Sequence, residues 1–429
     1  MGAYRSRAAD LLALVPAAAI PLVFLHRRYQ AHTTFGPVDV FGSDVAVAVT
    51  VLVALVAGVW FGFRPLRRPV ALWCVAGALL AYLAVTCLWR PLERPTTHFV
   101  TFAKVLEYAL LAPALVLLLR RSAQVDRLLV AFVAWSAAAS GWGLLQFVGA
   151  VNEFEGKRPG QREVSFLGIH DFAAFSGATL AVGLAAVALA ERRRLAAAAL
   201  AAGAVGAILA ASVFAFAGLV LAAVAALLVG RRAEKLTRRR AVAIATVVAV
   251  VGVGTLALRS YDLTNFFSFL GIKQTTTAAQ EDVQTGSQRA MLAYIGLRIW
   301  AAHPVLGVGF ERSANRYQPY LDAAKRRFPN QPAQAYPSPA HPWGVQNFWV
   351  QLLADAGVIG LALAVATFAA GLVLALRAPP RFVFFGLVAA GWILVAVGTW
   401  NAIGIVAGVP LQAVTWLGFG LAAVVGGLE

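Results

Sequence analysis

AVAIATVVAVVGVGTLAL, residues 241–258, runs for eighteen positions without a charged side chain, between Arg238–Arg240 and Arg259. As a helix it rises about 27 Å, close to the roughly 30 Å hydrocarbon core of a bilayer. Comparable runs recur from end to end. The chain is 60% hydrophobic and 13% charged, where soluble domains carry about 25% charged residues. Barrel-type alternation is absent. The fold class is therefore all-α, a polytopic transmembrane helical bundle. Twelve spans are expected, near 10–26, 44–63, 70–88, 99–119, 128–150, 170–190, 195–211, 213–230, 241–258, 348–376, 382–400 and 408–428. Only a short apolar join separates the two spans within 195–230, and 348–376 is longer than a crossing needs.

The formal net charge of +17 is a topology signal rather than a nucleic-acid footprint, because the excess collects in alternate loops. Short loops near residues 64–68, 120–127, 192–194, 231–240 and 377–381 hold seventeen Lys and Arg residues, and Arg5 and Arg7 precede the first span. The short loops on the other side hold seven, Arg27, Arg28, Arg90, Arg94, Lys157, Arg158 and Arg162. Both termini are expected to be cytoplasmic. The first apolar run lacks a clear small-x-small cleavage site followed by a soluble domain, so it is expected to stay as a helix. Cys74 and Cys87 fall thirteen residues apart in one helix, about 20 Å, too far for a disulfide.

The chain divides into spans one to nine (1–258), an outward loop (259–347) and spans ten to twelve (348–429). A loop this long is usually functional. SQRAMLAYIGLRIWAA (287–302) has helical periodicity and begins with a serine, a plausible cap. His303-Pro304 ends it, GVGF (307–310) turns the chain, and ERSANRYQPYLDAAKRRF (311–328) predicts a second short amphipathic helix.

No GxxxxGK[ST], HExxH or Asp-x-Asp motif is present. Nucleotide hydrolysis, a zinc site and a metal-dependent nucleotide-sugar donor are therefore not indicated, and no cofactor or metal is expected. What stands out is arginine on the outward side, where topology does not ask for it. EGKRPGQREVSFLGIHDFAAF (155–175) carries Arg158, Arg162, His170 and Asp171, and the long loop carries Arg289, Arg298, Arg312 and Arg316. Arginine pairs with phosphate through a planar fork and stays charged. A solvated loop charge or an acid partner is the bland alternative. Arg289 shares a helical stripe with Ala293, Gly296 and Trp300. The small residues leave room for a ligand; equally, Trp300 and Ala293 pack while Arg289 snorkels. Pattern alone does not separate these. Lys104 and Glu107, at i and i+3, are expected to form a structural pair. His303 ends a helix, where cation–dipole attraction explains it. His341 has the chemistry of a general base, but sits among Pro339, Pro342 and Trp343.

Three stretches resemble the O-antigen ligase and polymerase superfamily of bacterial envelope enzymes. REVSFLGIHDFAAF (162–175) resembles that family's arginine, glycine-aromatic stretch and helix start, with Asp171 where asparagine is common. GSQRAMLAYIGLRIWAAHPVLGVGF (286–310) resembles its Arg-led helix and His-Pro-Leu-x-Gly-x-Gly turn, the arginine matching Arg289. AHPWGVQNFWVQLLADAGVIG (340–360) places Asn347, Asp355, Gly357 and Gly360 in the family frame, but Gln346 stands at the histidine position. Glutamine cannot act as a base.

The resemblance implies a GT-C-like bundle in the bacterial cytoplasmic membrane. It further implies metal-independent, inverting transfer of a glycan from an undecaprenyl-diphosphate carrier to an acceptor hydroxyl, on a lipid or glycan, at the outer face. Arg162, Arg289, Arg312 and Arg316 are then expected to bind the diphosphate, Arg289 and His341 to act in catalysis, and His170, Gln346 and Asn347 to support them. The alternative is a transporter or flippase for a lipid-linked or anionic envelope substrate; no half-to-half repeat points to it. An envelope scaffold with a dead site is a third reading.

Overall fold

The computed structural model describes residues 2–428 except 37, 89–94, 153, 156–158, 261, 265–284, 330–332, 341–342 and 406–407. It is a helical bundle. Ten helices among the described residues are long and apolar enough to cross a membrane, and the shorter apolar helix Val409–Val425 adds to them. The expected division within 195–230 is present, as α9 (Arg193–Ala210) and α10 (Val213–Arg232).

The first run departs from expectation. It is two helices, α1 (Gly2–Leu12) and α2 (Val15–Val23), not one span over 10–26. Pro16 stands in the first turn of α2 and Pro21 lies inside it. Proline has no N–H to donate, so Pro16 cannot continue the ladder from α1. A short hairpin missed by the all-helical reading follows, His32–Phe35 paired antiparallel with Val38–Phe41. The next helices are α3 (Gly42–Phe61), α4 (Val70–Leu88), α5 (Pro95–Ala109), α6 (Leu111–Leu118) and α7 (Ser122–Phe147).

At the centre stand α8 (Ile169–Leu189) and α15 (Val383–Thr399), both almost wholly buried. By contrast α11 (Arg238–Leu258) is buried over little of its surface and turns Val242, Val250 and Val253 outward, as a lipid-facing helix does. Small residues let the central helices touch. A Cβ on Gly218 would lie 2.5 Å from the Leu394 carbonyl oxygen, and one on Gly398 2.4 Å from that of Phe214. Such crossings gain van der Waals contact where lipid offers no hydrophobic gradient. Phe24, Phe132, Phe175 and Trp392 fill the core, with Phe132 stacked on Trp392 at 4.4 Å and on the edge of Phe175 at 4.6 Å.

The loop arginines of one end are partly structural. Arg192 pairs with Asp126 at 2.6 Å and lies 4.1 Å from the Phe384 ring centre. Arg121 pairs with Asp10 at 3.0 Å, and Arg68 donates to the Gly426 carbonyl at 2.9 Å. These contacts gather the basic loops and the ends of α1 and of α16 (Val409–Val425) at the same end of the bundle.

At the opposite end lie α12 (Thr285–Ala302) and α13 (Gln318–Arg327). Ser287, expected as a cap, sits inside α12. The expected helix over 311–328 begins only at Gln318, with Pro319 in its first turn, because Glu311 takes φ +59° and a single 3₁₀ turn follows at Ser313–Asn315. Residues 304–313 are clamped to α14 (Phe348–Leu376). Val308 N–H donates to the Ala354 carbonyl at 2.9 Å, Gly309 N–H to that of Asp355 at 2.8 Å, and Val358 N–H to that of Pro304 at 2.9 Å. The fully buried Asp355 carboxylate accepts from Glu311 N–H at 3.1 Å, Ser313 N–H at 2.8 Å and the Gln351 amide at 3.1 Å. The clamp needs a break in α14 at Gly357, φ +65° and ψ −166°, a conformation open essentially to glycine alone. A Cβ there would lie 2.1 Å from the Val305 carbonyl oxygen. Gly307, φ +66°, faces it, with its own Cβ position 2.3 Å from the Asp355 carbonyl carbon.

Gly357→Ala is expected to destabilise the folded protein by about 1–3 kcal/mol from the forbidden dihedral, with the clash of its Cβ against Val305 added. Thermal unfolding in detergent checks this, and an unchanged midpoint contradicts it.

Candidate functional site

A cavity of about 740 Å³ opens at the end of the bundle that carries α12. Its wall draws on segments far apart in sequence: residues 25–27 after α2, the start of α3, α5, the loop before α8, the start of α8, Arg289 of α12, Ile403 and residues from Gly408 to Gln412. It has two chemically distinct sides. On one, Lys104 is paired with Asp44 and lies 3.6 Å from Glu107. Lys104 and Glu107 thus pair as expected, but the shorter contact is to Asp44 of α3, which the sequence did not link to them.

The other side is cationic. Arg289 Nη2 lies 2.9 Å from His170 Nε2, and Arg289 Nε donates to Gln346 Oε1 at 3.1 Å. A guanidinium has only donors, so His170 Nε2 accepts and its ring proton is placed on Nδ1. Gln346 does what a glutamine can and holds Arg289 by its oxygen. Arg162 lines the same cavity. Burial lowers the pKa of Arg289 to about 10, with Arg162 and then Arg259 adding to the effect. Burial likewise lowers Arg162 to about 10, followed by repulsion from Arg259. Both remain protonated at neutral pH. Arg259 is in ion-pair contact with Asp262 at 3.0 Å, and Glu155, on the cavity wall, offsets Arg162. Arg162 and Arg289, with Arg259 near them, therefore form a desolvated cationic patch suited to an anion.

Not every expected residue arrives here. Arg312 is buried but packs against Gly309, within electrostatic reach of His98, and does not line this cavity. Next to it, Glu311 has its pKa raised to about 7, by burial first. Arg316 is exposed at the end of the 3₁₀ turn. Asn347 caps α14, accepting from Val350 N–H at 3.0 Å, and donates to the Asn401 carbonyl at 3.3 Å. Gly296 does not leave room for a ligand, because a Cβ there would lie 2.8 Å from Val345 and 2.9 Å from Val350. It lets α12 seat on the start of α14. His341 lies outside the described residues. Among the described residues no group of three or more His, Cys, Asp or Glu is placed to hold a metal ion.

Arg259, Glu155 and Asp44 are wall or near-wall residues to which the sequence reading gave no role. The available signal was weak: Arg259 follows an apolar span at its C-terminal end, where any cation is stabilised by the helix dipole.

Residues 196–365 match the family model described as O-antigen ligase, which supports assigning the chain to the O-antigen ligase superfamily. No curated protein matches the chain. The matched segment contains Arg259, Arg289, Gln346 and Asp355, and stops short of Arg162 and His170. It supports a multi-pass membrane enzyme of ligase type that transfers glycan.

The folded pKa of Arg289, lowered to about 10, means that burial opposes its charge. This cost is fully present below pH about 10 and is relieved as pH rises through 10 toward the ordinary guanidinium value. Arg289→Gln is thus expected to raise the thermal midpoint of the unliganded protein at pH 7. Inorganic diphosphate is expected to stabilise the wild type and not the variant. Equal diphosphate protection of both proteins contradicts the assignment.

Proposed function

We propose that the protein transfers a glycan from a polyprenyl-diphosphate carrier, undecaprenyl diphosphate in bacteria, to an acceptor hydroxyl at the outer face of the cytoplasmic membrane. The observation that carries this reading is the desolvated pair Arg162 and Arg289 on one cavity wall, with Arg259 behind them. The cavity lies at the end of the bundle away from the loops that hold seventeen basic residues. By the positive-inside rule those loops and both termini are cytoplasmic, so the cavity opens outward.

The chemistry follows from charge. The diphosphate oxygens lie against Arg289 and Arg162. As the bond from the anomeric carbon to the diphosphate breaks, negative charge builds on the leaving oxygen, and preorganised guanidiniums stabilise it. The acceptor hydroxyl attacks from the opposite face, inverting the carbon. Arg289 is the central group, because His170 and Gln346 orient its fork from two directions. Gln346 contributes position, not proton transfer. The transporter reading is less well supported: α8 and α15, buried along nearly their whole length, fill the bundle where a path to the other face would run.

Arg289→Ala is expected to lower transfer from a synthetic polyprenyl-diphosphate glycan by about a hundredfold or more, measured with protein reconstituted in liposomes. Arg316→Ala, off the cavity, is expected to stay within about twofold, as surface changes generally do. Full activity in the Arg289 variant sinks the proposal.

A further inference from the structure

We infer that Asp171 is the general base of the transfer, taking the proton of the acceptor hydroxyl. The inference rests on the transferase reading above and names a group that reading leaves open.

Six titratable side chains other than the arginines and lysine line the cavity: His26, Asp44, Tyr108, Glu155, His170 and Asp171. His26 Nδ1 already accepts from Arg28 N–H at 3.2 Å, and Tyr108, a phenol, brings a proton rather than a vacant base. His170 Nε2 is committed to Arg289 at 2.9 Å, and a protonated ring there would set two cations donating at each other. Asp44 is paired with Lys104 and accepts from Phe41 N–H at 2.8 Å. Glu155 accepts from Ile169 N–H at 3.3 Å and balances the Arg162 charge. Asp171 is different. Its Oδ1 accepts from Leu411 N–H at 3.0 Å, in the first turn of α16, while Oδ2 accepts no hydrogen bond among the described residues.

Asp171 is buried at the cavity wall, with backbone packed against its carboxylate. A Cβ on Gly408 would fall 1.7 Å from Oδ2, so a side chain there would displace the carboxylate. The bond to Leu411 N–H anchors Oδ1 and leaves Oδ2 as the oxygen able to take a proton. Asp171 is next in sequence to His170, which touches Arg289. The base and the diphosphate-binding guanidinium thus stand on one wall of one cavity.

The step balances. The acceptor O–H bond breaks and its proton moves to Asp171 Oδ2. The oxygen's electron pair forms the new bond to the anomeric carbon. The bond from that carbon to the diphosphate oxygen breaks, and its electron pair leaves on the diphosphate, opposite Arg289. Asp171 then releases the proton to water.

Asp171→Asn keeps an oxygen for Leu411 N–H and removes the ability to take a proton. It is expected to fold with the wild-type thermal midpoint, bind geranylgeranyl diphosphate with unchanged affinity, and lose about a hundredfold or more in transfer. Asp171→Ala, which leaves a space the size of a carboxylate, is expected to regain at least tenfold of its lost rate with added formate. Transfer by Asp171→Asn within threefold of wild type overturns the inference while leaving the transferase reading intact. So does loss of geranylgeranyl diphosphate binding in step with transfer, which would make Asp171 a structural cap. Wild-type protein that transfers none of a panel of synthetic polyprenyl-diphosphate sugars overturns the transferase reading, and the inference with it.

Discussion

The Asp355 carboxylate holds the extramembrane segment to the bundle. It accepts two backbone N–H groups from residues 311 and 313 and one side-chain amide. A fully buried carboxylate without such partners would cost several kcal/mol; here the partners are the turn that must be positioned. Three backbone hydrogen bonds around the Gly357 break run beside it. The arrangement fixes where α12 leaves the turn, and Gly296 seats α12 on the start of α14. Together they set where Arg289 stands. The acid and glycines of 355–360 are thus not at the chemistry, yet the chemistry depends on them.

The spans were legible because an uninterrupted apolar run of helical length has few other fates in a chain this poor in charge. The break between α1 and α2 was written in Pro16 and Pro21, but hydrophobicity carries across prolines and hid it. The hairpin at 32–41 was less visible, since four-residue strands make a weak period-two signal. At the site, Arg162, Arg289, His170 and Gln346 were singled out from sequence, and the structure brings these four together. Arg312 was singled out for the same reason and packs elsewhere, because buried charge alone does not tell a cavity wall from a structural cluster. Arg259 was passed over because a cation after a helix already has an ordinary explanation. Gly296 was left open between ligand space and packing: small residues on a helix make space, and sequence does not say for whom.

His170 illustrates how one contact narrows the chemistry. Its neighbour is a guanidinium, so the ring nitrogen facing it has to carry the lone pair. The tautomer follows from the partner and not from the local pKa. The same contact aligns Arg289, which a flexible side chain at a membrane surface would otherwise not hold still. Preorganisation of this kind lets charge be stabilised without reordering at the moment of reaction.

The desolvated arginines have a consequence for turnover. A surface that stabilises the charge built up on the leaving diphosphate holds the spent carrier at least as tightly as the loaded one, since the spent headgroup has gained a terminal phosphate charge. On the transferase reading, the departure of the empty carrier is then the slow part of the cycle, as product release is in many enzymes. The rate at which glycan moves would follow how quickly the membrane carries the spent lipid away.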